Sequence, residues 1–75
     1  MNSQKIGLIR FNPFDRTGGE QSFVIAFLDE MKNGIILNFI YTRDGLRVYT
    51  KKVKHGKGEE YDLSEEEVKA IDKSN

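Results

Sequence analysis

Two stretches of this chain carry side chains that could do chemistry. Arg10, Asp15, Arg16, Glu20 and Gln21 surround a Gly18-Gly19 pair inside RFNPFDRTGGEQSF, and Arg43, Arg47, Tyr49 and Lys51 stand in RDGLRVYTK. A glycine-rich loop cradles phosphate when its N–H groups converge at a helix start. Gly18-Gly19 lacks the Gly-x-x-x-x-Gly-Lys-Ser/Thr spacing and opens no evident helix. Asp15, Glu20, Asp29 and Glu30 offer a general acid and base only if their surroundings separate their pKa values. Loop carboxylates more often accept from turn amides or pair with arginines. His55 is the sole histidine and cysteine is absent, so zinc ligation and a histidine-based nucleophilic triad lack partners. No catalytic, cofactor-binding or metal-ligating residue is assigned, and no cofactor is expected.

Binding is the chemistry these residue types suit. Arg47, Tyr49 and Lys51 alternate onto one face of a strand, where a base can stack on tyrosine while cations hold phosphates. The plainer reading is a solvated strand. Arg10, Gln21, Asp29 and Arg43 would serve a small ligand. The Arg10–Phe23 stretch is expected to be an ordered scaffold loop. Asn12-Pro13 starts a turn, Gly18-Gly19 permits reversal, and Phe11, Phe14 and Phe23 anchor it.

The elements that must position these groups follow from periodicity. Lys5–Phe11 reads as a first strand weakened by Gly7. Ser22–Asp29 alternates Phe23, Ile25 and Phe27 against Val24, Ala26 and Leu28, so both faces are apolar. This predicts a central strand covered on both sides, or one face paired with another chain. Ile35–Thr42 is a third strand whose Asn38 interrupts an apolar face. Leu46–Val53 is a fourth, more polar strand nearer an edge. Asn33-Gly34 closes one hairpin, within a loop starting near Glu30. Asp44-Gly45 suits a two-residue type I′ turn that would set Tyr41 opposite Val48 and Ile40 opposite Tyr49. Leu63-Ser64-Glu65-Glu66-Glu67-Val68 carries a capping box, Ser64 with Glu67, and a Leu63–Val68 staple. Val68 and Ile71 would form the stripe that docks the helix. The expected fold is α+β: about four antiparallel strands in meander order with one C-terminal helix packed on the sheet. One helix covers one face, and residual apolar surface on the other is an expected interaction site.

The 75 residues make one small domain, expected to span residues 1–75, with residues 1–4 outside the fold and 73–75 a frayed tail. Twelve basic and twelve acidic residues cancel, so overall charge leaves no footprint for nucleic acid or an anionic membrane. Locally, Arg43, Arg47, Lys51, Lys52, Lys54 and Lys57 precede Glu59, Glu60, Asp62, Glu65, Glu66 and Glu67, which reads as two solvated elements that attract each other. No apolar run reaches the ~18 residues of a membrane-spanning helix.

Five motifs occur together in order: Arg10-Phe11-Asn12-Pro13-Phe14, Thr17-Gly18-Gly19-Glu20-Gln21-Ser22-Phe23, Leu28-Asp29-Glu30, Arg43-Asp44-Gly45-Leu46-Arg47-Val48-Tyr49-Thr50-Lys51, and Tyr61-x-Leu63-Ser64-Glu65-Glu66-Glu67. With them the chain resembles the bacterial DUF4446 family, a domain of unknown function, from about Ile6 to Ile71. It departs from that family's pattern at Lys52, where proline is usual, near Gly58, where serine is usual, and at Asn38 and Phe39. The resemblance implies no nameable enzyme activity. It does imply a parent protein with an N-terminal membrane helix and a coiled-coil spacer, hence a cytoplasmic, membrane-tethered module that does not itself insert. The expected role is a non-enzymatic protein-interaction or oligomerisation module. Small-ligand binding or catalysis, and single-stranded nucleic-acid binding, are the alternatives. Its candidate contact residues are Arg10, Asp15, Arg16, Glu20, Gln21, Arg43, Arg47, Tyr49 and Lys51.

Overall fold

The computed structural model describes residues 4–12, 22–42 and 44–74. Strands β1 (Lys5–Phe11), β2 (Ser22–Leu28), β3 (Gly34–Thr42), β4 (Gly45–Lys54) and β5 (Lys57–Gly58) precede one helix, α1 (Glu65–Lys73). The strands form one antiparallel sheet in the order β1-β2-β3-β4-β5. The expected α+β meander is therefore present, with five strands rather than four. The extra strand is two residues long, too short to show a period.

Alternation decides which side chains meet α1. Val24, Ala26, Leu28 and Ile36 point towards the helix and join Val53, Ala70 and Ile71 in the core, with Ile9, Phe11 and Leu63 packed against it. The helix lies across β1 and β2. Gly7 explains how it gets there. A Cβ on Gly7 would stand 1.9 Å from the Ala70 carbonyl oxygen and 2.8 Å from the Ser74 nitrogen. The glycine that weakens β1 as a strand is thus the seat on which the helix backbone rests.

The helix starts as expected. Glu67 N–H donates to the Ser64 hydroxyl at 3.2 Å, and Ser64 N–H donates to Glu67 Oε1 at 2.7 Å. Its docking stripe differs. Val68 is 44% exposed, whereas Glu67, Ala70 and Ile71 are buried. Spacing alone allowed either side of Ile71; the inward turn of Glu67 selects this one. Residues 73 and 74 do not fray: Lys73 belongs to α1, and the buried Ser74 donates its N–H to Ala70 and Ile71 carbonyls.

One turn departs from expectation. Thr42 pairs with Gly45, so Tyr41 faces Leu46 and Ile40 faces Arg47. The register is thus two residues from the expected one, and each side chain keeps its face because the strand period is two. Thr42 Oγ1 sets this turn by accepting from Asp44 N–H and donating to the Gly45 carbonyl. A hairpin turn with positive φ at both central residues occurs instead at His55 (53°) and Gly56 (80°), as a type I′ turn needs. The β2–β3 loop spans residues 29–33, the longer loop expected from near Glu30, with Gly34 opening β3. Asp29 Oδ1 accepts from Met31 and Asn33 N–H, and Lys32 takes the positive φ. Asn33 Oδ1 then accepts from His55 N–H, tying the two turns together.

Candidate functional site

The sheet face turned away from α1 is built from the alternate residues of four strands. The pairing places them in rows: Arg10, Phe23, Phe39 and Val48; then Leu8, Ile25, Leu37 and Thr50; then Ile6, Phe27, Ile35 and Lys52. Tyr41 and Leu46 extend the first end. The Phe23 and Phe39 rings stack with centroids 4.6 Å apart and planes 18° apart. Ile6, Leu8, Ile35, Leu46 and Val48 are exposed, while the phenylalanines and Ile25 and Leu37 between them are half-buried. No described element packs over this face. Of the two coverings expected for β2, the described residues supply one.

Among the described strand residues this face carries no carboxylate, and its cations stand at opposite corners, Arg10 at one and Lys52 with Lys54 and Lys57 at the other. Arg10 lies at one end of β1, beside a shallow hollow formed with Leu8, Phe23, Ile25 and Tyr41. Lys52 lies at the other end of β4. The result is an apolar centre with a sparse polar rim, the anatomy of a protein contact surface.

The opposite face holds the polar residues read as a basic strand. Arg47, Tyr49 and Lys51 share it, as their alternation requires, and Arg47 and Tyr49 are exposed. Lys51 is already engaged. Its Nζ stands 2.9 Å from Glu67 Oε1 and 2.9 Å from the Asp62 carbonyl oxygen. Glu67 Oε2 accepts from Asn38 Nδ2 at 3.0 Å. Burial pushes the Glu67 carboxyl pKa up, but the Ser64 N–H, the Lys51 ammonium and the Asn38 amide together outweigh it and hold it below the usual carboxylate value. Asn38 Oδ1 stays buried with no hydrogen-bond partner among the described residues. A cleft of about 390 Å³ runs past this cluster between Tyr49 and Tyr61.

Of the expected contact residues, Arg10 belongs to the open face, and Arg47, Tyr49 and Lys51 to the helix-side face. Asp15, Arg16, Glu20, Gln21 and Arg43 lie outside the described residues, as does most of the Arg10–Phe23 loop. Arg10 and Asp29 do not converge on a ligand. Arg10 pairs with Phe23, and Asp29 is six residues further along, about 20 Å at a strand's rise. The Asp29 carboxylate is spent on its own turn. Sequence reasoning expected an uncovered apolar face opposite the helix, from the alternation of Phe23, Ile25 and Phe27, but its candidate contact residues included only Arg10 of that face's described residues. No three histidine, cysteine or acidic side chains form a metal-holding group among the described residues, and no described helix is long and apolar enough to cross a membrane.

No curated protein and no solved structure matches the chain. A family model does match, over residues 1–75, and by it the chain belongs to DUF4446, the proteins of unknown function that share this domain.

Proposed function

We propose that this domain is a non-enzymatic protein-interaction module, and that its working surface is the open sheet face. The supporting observation is the row pattern of that face. Leu8, Ile25, Leu37, Phe23, Phe39 and Phe27 form a contiguous apolar centre with Arg10, Thr50 and Lys52 at its margin. Apolar patches of several hundred Å² on a small domain mark contact sites. Within this reading the domain is the cytoplasmic part of a membrane-anchored parent, and it presents its open face to a protein partner.

A photoreactive amino acid tests this. Placed at Leu8, exposed on the open face, it should yield a defined protein adduct in cells expressing the protein. Placed at Lys69, exposed on the helix, it should not. Equal labelling at the two positions, or none at Leu8, would remove the reading.

The nucleic-acid alternative draws less support. Lys51 is committed to Glu67 and Asp62, which leaves Arg47 beside Tyr49 as the exposed cation of the proposed triplet.

A further inference from the structure

We propose that the occupant of the open face is a second copy of this chain, packed face to face about a two-fold axis lying in the interface. This rests on the reading of that face as a docking surface and adds what docks there.

Shape and area favour it. Two twisted sheets pack face to face about 10 Å apart with their strands roughly 30° from aligned. A flat face of alternating apolar side chains is the surface such packing uses. Four strands and three rows project to about 400 Å² from strand spacing and rise. Side chains raise the accessible area above its projection, so two copies bury on the order of 1,000 Å² or more, the threshold for a specific interface.

Charge placement makes the face complementary to itself. The cations, Arg10 at one end of β1 and Lys52, Lys54 and Lys57 at the far end of β4 and on β5, occupy diagonal corners. The other two corners are apolar, Ile6 on β1 and Val48 with Leu46 on β4. In an isologous pair each patch meets its own copy. An axis along the strands sets Arg10 over the partner's Leu46 corner and Lys52 over its Ile6 corner. An axis across the strands exchanges those two assignments. Either way, no cation meets a cation, and each reaches solvent at the rim.

The same geometry supplies the test. Ile6 and Leu46 are 55% and 47% exposed, so both accept charge without disturbing the core. Sedimentation of the full chain at about 100 µM should give twice the 8.6 kDa monomer mass. Ile6→Glu with Leu46→Glu places a carboxylate against each cationic corner. It should keep the dimer and make it weaken as salt rises. Ile6→Arg with Leu46→Arg should weaken it at least about tenfold. A wild-type chain that stays monomeric to about 1 mM overturns the proposal. So does equal weakening by the two charge pairs, which would place association at another surface, such as the outer edge of β1. If the chain is monomeric yet Leu8 still captures a different protein in cells, self-association fails while the docking surface stands. If Leu8 captures nothing and no dimer forms, both fail.

Discussion

Glu67 does three jobs with one carboxylate. It closes the capping box on Ser64 N–H, receives the Lys51 ammonium, and accepts from the Asn38 amide. Each contact stabilises the charged form against the cost of burying it. Its pKa is therefore held below that of an unfolded glutamate, about 4.3. Stability from this group is fully present above that value and is lost as pH falls through the lower, folded one. Glu67→Gln should thus lower the urea midpoint at pH 7, and the gap from wild type should narrow as the pH falls below about 4. A constant gap across that range would mean that the charge is irrelevant. Ser64→Ala removes the cap acceptor and should cost about 1 kcal/mol, read as a lower denaturation midpoint. The capping box was legible because its residues are three apart. The inward turn of Glu67 was not, because Asn38 and Lys51 lie 29 and 16 residues away. Nothing local marks an acidic helix residue as buried.

At the level of elements, the contact between β1 and α1 sets where the helix sits. Ala70 and Ser74 come close only because position 7 has no side chain. Gly7→Val should therefore lift the helix while leaving strand pairing in place. The expected result is loss of helical signal and early exchange of helix amides, with β2 and β3 amides still protected. If the helix amides stay as protected as wild type, the close approach does not govern docking. Alternation over seven or more residues made β1 to β4 readable, together with the face each residue takes. Turn chemistry was less readable. Asp44-Gly45 resembles a hairpin dipeptide, yet the Thr42 hydroxyl anchors the chain one residue earlier on each side. The positive-φ pair falls instead at His55 and Gly56, histidine being one of the non-glycine residues that takes this conformation most often. Of the site residues, Arg10 was found by type. The apolar residues around it were legible as a face that one helix leaves uncovered, but not as named contact residues.

At the scale of the whole molecule, a single-layer sheet with one helix leaves half of its apolar alternation without cover among the described residues. A small domain has little stability to spare, and burying that face in a dimer would couple its stability to concentration. The unfolding midpoint should accordingly rise with protein concentration in wild type and stay fixed in the Ile6→Arg, Leu46→Arg chain. That comparison can be made on the samples used for sedimentation.

The seat at Gly7 has a topographic consequence. Ser74 lies against Gly7, near the start of β1, so the two ends of the described fold come close together at one edge of the sheet, with Ser74 on the helix side. A tether joined after Ser74 would leave from the helix side of the sheet. The open face would then stand clear of such a tether, free to turn towards a neighbour without threading past it.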